Sequence, residues 1–84
     1  MSKSKVLAVK NVKFTDEQGV LIIGRSLFLH TPTLDPDWNG YSVDKLWFPE
    51  TDSRYSFVGT LRPGQELLIE YNRKGKPEEM VLNE

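Results

Sequence analysis

Tyr71-Asn72-Arg73-Lys74-Gly75-Lys76 sets one aromatic ring beside three cations within six residues. Cations on an exposed turn neutralise phosphates, and a tyrosine ring can stack on a base. The same residues also suit a plain solvated hairpin, because Asn, Lys and Gly are ordinary turn formers. Tyr71 shares parity with Leu67 and Ile69, which would draw its ring toward a core.

A second candidate is Tyr41 to Phe48, YSVDKLWF. Read as a strand, it puts Tyr41, Val43, Lys45 and Trp47 on one face and Ser42, Asp44, Leu46 and Phe48 on the other. If Leu46 and Phe48 point inward, then Tyr41, Lys45 and Trp47 form an exposed aromatic and basic stripe. That composition suits a single-strand stacking platform: flat rings for bases and a cation for phosphate. If Trp47 is the core residue instead, Lys45 is left needing an explanation. Both readings stand on the sequence.

Other groupings carry less. Lys3, Lys5, Lys10 and Lys13 come with no acid among the first 15 residues, while Glu78, Glu79 and Glu84 lie near the other end. Such a split orients a chain on an anion, or simply solvates strand faces. Asp35-Pro36-Asp37-Trp38-Asn39-Gly40 copies the first six positions of a calcium loop, but position twelve is Leu46 where a bidentate Glu is needed. A turn explains these residues better, and no metal or cofactor is expected. Trp38 in that loop is an interface candidate or a lid for one end of the fold. His30 is the one histidine, and Ser26, Ser42 and Ser53 sit in no nucleophile elbow or phosphate-cradling glycine loop. The chain reads as non-catalytic.

The elements that must position these residues are strands. Lys5 to Phe14 is the first. Its parity breaks at Lys10, and a bulge near Lys10-Asn11 would turn Leu7, Val9, Val12 and Phe14 to one side. Thr15 to Gly19 is a turn, and Val20 to His30 the second strand. Gly24 interrupts it and suggests a bend or bulge. Thr31 to Gly40 is a loop, and Tyr41 to Phe48 the third strand. In residues 50–65, Phe57, Val58 and Leu61 suit a short turn or a one-turn helix. Glu66 to Asn72 alternates cleanly as the fourth strand, and Pro77 to Leu82 returns as the fifth.

Composition sets the outer bounds. The chain has 84 residues, 38% hydrophobic and 27% charged, with a net charge of −1. That fits one small globular domain over residues 1–84 and argues against a wholly basic coat. There are no cysteines, which excludes thiolate metal sites and disulfide staples. No apolar run exceeds four residues, so no membrane span or signal peptide is expected and a cytoplasmic location is. Five curved antiparallel strands in this length predict a small all-β barrel, OB-fold-like first and SH3-like second.

Gly40 to Lys45, Leu61 to Gln65 and Tyr71 to Lys76 together resemble small proteins of phages and conjugative elements of Gram-positive bacteria. In size and strand order the chain also looks like the gene-V-type single-stranded-DNA-binding proteins of filamentous phages. The resemblance covers about half the chain. It implies an OB-like homodimer that coats single strands through aromatics and cations. Such proteins are neutral to basic, and this chain departs from them in being slightly acidic. The reading to test is a single-stranded nucleic-acid-binding accessory protein of a phage or mobile element. Tyr41, Lys45 and Trp47 would stack, and Arg73, Lys74 and Lys76 would clamp phosphate beside Tyr71. The alternative is a protein-interaction module, or part of an assembly, using an exposed aromatic surface.

Overall fold

The computed structural model describes residues 2–32, 37 and 41–83. Five strands run in chain order: β1 (Ser2–Thr15), β2 (Leu21–Pro32), β3 (Tyr41–Pro49), β4 (Glu66–Tyr71) and β5 (Pro77–Asn83). One short helix, α1 (Tyr55–Gly59), lies between β3 and β4. All strand pairs are antiparallel and form one sheet in the order β3-β2-β1-β4-β5. The all-β, five-stranded antiparallel expectation is met. The sheet ends at β3 and β5, which share no ladder, so it is not closed as a barrel.

β1 is the hinge of the sheet. Its first residues pair with β4, from Ser2 opposite Ile69 to Lys5 opposite Glu66. Two further backbone bonds continue that edge: Val6 N–H donates to Gln65 O, and Gly64 N–H donates to Val6 O. Beyond this point β1 pairs only with β2, out to Thr15 opposite Leu21.

The ladder slips once, between Val6 and Ala8, and not near Lys10. Leu7 is the extra residue there. This places the bulge three residues earlier than the sequence parity suggested, with a different consequence. Val6 and Val9 turn to the core side, whereas Val12 and Phe14 turn to the opposite face. An inserted residue flips the face of everything after it.

Val6, Leu27, Leu29, Phe48, Val58, Leu61, Leu67 and Ile69 form the buried core on one face of the sheet. Each such side chain contributes about 1.5–3 kcal/mol by leaving water. Leu67 and Ile69 follow the predicted alternation of the fourth strand, and Tyr71 packs half-buried beside them. Val58 on α1 and Leu61 just after it close one end, as a one-turn helix was expected to do.

Arg25 projects on the core side beside this helix. Its guanidinium lies 3.8 Å from the Tyr55 ring centroid and donates to Tyr55 O and Asn11 Oδ1. Arg54 clasps the segment before α1. It donates from Nε and Nη2 to the two Asp52 carboxylate oxygens and from Nη1 to Pro77 O, with its guanidinium over Phe48. β2, through Arg25, and β5, through Pro77, are thus both tied to residues 52–59.

Gly24 needs a different account from the bend expected of it. It keeps regular register, opposite Val12 and Pro49. A β-carbon at Gly24 would run into the Trp47 indole. The glycine is there to let that ring lie flat on the strand.

Candidate nucleic-acid interface

The register decides which face of β3 is buried. Leu46 lies opposite Leu27, and Phe48 opposite Arg25, on the core side. Phe48 is buried and Leu46 packs against the core. Val43, Lys45 and Trp47 therefore point away from it. Val43 is 66% exposed and Trp47 is 41% exposed.

Strand pairing extends this stripe across the sheet. Lys45, Phe28 and Ala8 share one cross-strand row of the outer face, and Trp47, Ser26 and Lys10 share the next. Pro49, Gly24 and Val12 follow, then Ile22 and Phe14. Residues directly opposite each other in an antiparallel sheet lie side by side on one face. A shallow hollow of about 580 Å³ results, lined among others by Lys10, Phe14, Phe28, Lys45 and Trp47. The Lys45 ammonium sits 5.8 Å from the Phe28 ring centroid, within cation–π reach. Trp47 has one face on Gly24 and is partly open on the other. Three aromatic rings and two ammonium groups are thus set on one face of the β1–β3 part of the sheet.

The other predicted half of the site arrives from the far side of the sheet. β4 and β5 are joined by a turn built on Asn72. Its Oδ1 accepts from Lys74 N–H at 2.9 Å and Lys76 N–H at 3.0 Å. Asn72 N–H donates to Lys76 O, and Gly75 takes φ 76° to let the chain reverse. The turn reaches β3, and Lys45, Trp47, Lys74 and Lys76 line a single groove of about 450 Å³ with Leu46, Gly75 and Pro77. Two stretches that the sequence offered as separate candidates line one groove.

The remaining predicted residues fall as follows. Tyr71 lines a neighbouring hollow with Lys45, Asp44 and Gly75. Burial, and secondarily the Asp44 carboxylate, push its phenol above the ordinary value, so it stays protonated. It is a wall of the site more than a free stacking ring. Arg73 is exposed on the turn but outside the groove. Tyr41 starts β3 opposite Pro32. Trp38, and the calcium-like stretch apart from the exposed Asp37, lie outside the described residues.

The sequence reading missed Lys10, Phe14 and Phe28 as members of the face. Lys10 stood there as part of a basic start and as the break in strand parity, and Phe14 as sharing a side with Leu7, Val9 and Val12. The signal existed in the pairing of Ser26 with both Lys10 and Trp47. Pairing is a long-range property, and one strand read alone does not contain it.

Charge is divided along the outer face. The β1–β3 part carries Lys10 and Lys45, with Lys74 and Lys76 at its border. The acid in that hollow, Asp16, already accepts from the Gln18 and Val20 N–H groups. Glu66, Glu70 and Glu79 follow the outer parity of β4 and β5. Lys3 and Lys5 share that outer parity where β1 meets β4, Lys5 directly opposite Glu66, so the β1–β3 part is basic and the β4 side is mixed.

Among the described residues no helix is long and apolar enough to cross a membrane. Comparison with protein-family models, curated proteins and solved structures finds no match to this chain.

Proposed function

We propose that this protein binds single-stranded nucleic acid on the outer face of β1–β3, without catalysis. The observation that carries the reading is the shared groove: Lys45 and Trp47 of β3 meet Lys74 and Lys76 of the β4–β5 turn. Bases stack on Trp47, Phe28 and Phe14, and the lysines neutralise the phosphates between them. A flat, ring-bearing face flanked by cations is open to unpaired bases, whose faces a duplex would hide.

The strand order β3-β2-β1-β4-β5, with α1 between β3 and β4, supports an OB-like architecture with the β3–β5 seam left open. A cytoplasmic accessory protein of a phage or mobile element is the setting that this reading and the resemblance favour. The rival reading, a protein-binding surface, rests on the exposed Val43 and Phe14. Salt separates them, because phosphate binding weakens steeply as counterions are retained and an apolar interface does not.

The test is a fluorescence titration of the Trp38→Phe variant with a single-stranded oligonucleotide, which leaves Trp47 as the reporter. Quenching that weakens with salt is the expected result. Trp47→Ala should then cost about 1–3 kcal/mol, the worth of one base–ring stack. Lys74→Ala should lower the salt slope by about 0.7, the share of one single-strand phosphate contact. Unchanged fluorescence at low salt and about 100 μM oligonucleotide, weaker than ordinary non-specific binding, would refute the proposal.

A further inference from the structure

We infer that the free edge of β1 between Val9 and Thr15 pairs with the same edge of a second copy, about a two-fold axis at Val12. The inference rests on backbone geometry and not on the nucleic-acid reading.

β4 covers the edge of β1 only as far as Val6. From Ala8 onward β1 is paired on one side alone, by β2. Asp16 N–H donates across the hairpin to Val20 O. Backbone direction alternates along a strand, so the even residues from Ala8 to Phe14 turn their N–H and C=O groups toward β2. Val9, Asn11, Lys13 and Thr15 turn theirs outward, where no ladder among the described residues receives them. Such an edge is a template for another strand. Natural edges are shortened, bulged, given a proline or set with lysines; after Leu7 this stretch has no proline and no further bulge, and its lysines, Lys10 and Lys13, find Phe14 and Asn11 of the second copy opposite them in the register below. Val9 and Val12 are half-buried, and the other residues from Ala8 to Thr15 are exposed, so both faces of the edge are approachable.

The sequence of the edge fits itself. Antiparallel pairing of outward-facing odd residues uses three or more of them only with a two-fold axis at Asn11, Val12 or Lys13. The axis at Lys13 would set two ammonium groups directly opposite, which is unfavourable. The axis at Asn11 leaves Thr15 beyond the reach of the partner's outward groups. The axis at Val12 pairs Val9 with Thr15 and Asn11 with Lys13, so that every outward N–H and C=O is used. On the outer face it sets Val12 on Val12 and Lys10 beside Phe14 of the second copy, a cation against a ring. Asp16, where the hairpin turns, then falls opposite Ala8, just as the partner's β4 begins to cover its own β1. The contact fills the open stretch and stops where it closes.

A contact of seven residues per copy is below the roughly 20–30 of a standard interface, so self-association in the micromolar range is expected. The two outer faces would join into one six-stranded surface.

Sedimentation of the intact chain over a range of concentrations gives the first result. The mass should rise from 9.7 kDa toward twice that value. Lys13→Pro removes an outward N–H without touching the β2 ladder, and should weaken association more than about tenfold with unchanged circular dichroism. Because the chain has no cysteine, a thiol can report the axis directly. Two-fold-related Val12→Cys residues would lie about 4.5 Å apart at the α-carbons, within disulfide range. Phe14→Cys residues would lie about 14 Å apart, outside it. Mild oxidation should cross-link the first variant and not the second. Two results would overturn the inference: a monomer at all concentrations with the Val12→Cys thiol left free, or equal cross-linking of both variants. The thiol contrast decides the matter even if Lys13→Pro fails to fold.

Discussion

The β1–β2 turn and the β4–β5 turn have the same backbone plan and opposite surroundings. Asp16 Oδ1 accepts from Gln18 and Val20 N–H in the first, and Asn72 Oδ1 accepts from Lys74 and Lys76 N–H in the second. In each, the acceptor residue also bonds the glycine three places on, and that glycine takes a positive φ: 79° at Gly19 and 76° at Gly75. The side chains at the remaining positions play no part in these turn bonds. They are Glu17, Gln18 and Val20 in one turn, and Arg73, Lys74 and Lys76 in the other. The difference between them concerns the surface each turn meets. The second reaches β3 and delivers two cations to Trp47, while the first ends the β1–β2 hairpin and brings one acid, Asp16, to the far end of the hollow that Lys45 and Trp47 line. A turn acquires a role from what the sheet brings next to it.

The largest test of that contrast removes two positive charges at one turn and adds two negative charges at the other. Lys74→Gln with Lys76→Gln, and Gln18→Glu with Val20→Glu, each change net charge by −2. Oligonucleotide affinity at low salt should fall about tenfold to a hundredfold in the first pair, two phosphate contacts being lost. It should fall by less in the second, whose two positions line neither the groove nor the hollow. Equal losses would mean that overall charge matters and the groove does not.

A smaller effect tests the shared plan. No atom lies within 4 Å of where a β-carbon would sit at Gly19 or Gly75, so an added methyl meets only the cost of positive φ. Gly19→Ala and Gly75→Ala should each lose about 1 kcal/mol in urea unfolding. A difference above about 0.5 kcal/mol would show that the two turns are not equivalent in energy.

The smallest effect lies in how the second turn is anchored. Arg54 holds the start of β5 through Pro77 O, and it is itself held by Asp52. Hydrogen bonds from the Arg54 side chain, then from its backbone N–H, keep the Asp52 carboxyl below its ordinary value against a minor opposing effect of burial. A carboxyl lowered on folding stabilises the fold above its unfolded value and stops doing so as pH falls through the folded one. Stability should therefore drop on acidification below about pH 4. Asp52→Asn should show a flatter profile, with a difference of about 0.5 kcal/mol, the usual worth of an exposed ion pair. Parallel profiles in chemical unfolding would remove Asp52 from the anchor.

Local chemistry was legible in the chain from the start. The alternation of Leu67, Ile69 and Tyr71 marked β4, because one buried face imposes a period of two. Asn72 and Gly75 marked the turn, because a short acceptor side chain and a left-handed glycine are what the turn needs. Asp16 and Gly19 did the same. These features depend on residues within a few places of one another, and the sequence by itself determined them. It also placed three cations on that turn and offered two faces for β3.

The tertiary structure decided the rest. It chose the face of β3 by setting Phe48 and Leu46 over a core shared with β1, β2 and β4. It put the extra residue at Leu7, so Phe14 joined the outer surface and not the core. It gave Gly24 its purpose, which is Trp47 and not a bend. It curled the sheet until Lys74 and Trp47, far apart in the chain, lined one groove. Each of these depends on strand register and on the twist of the whole sheet. A single inserted residue reverses a register, and no short stretch of sequence records where its partner strand will lie.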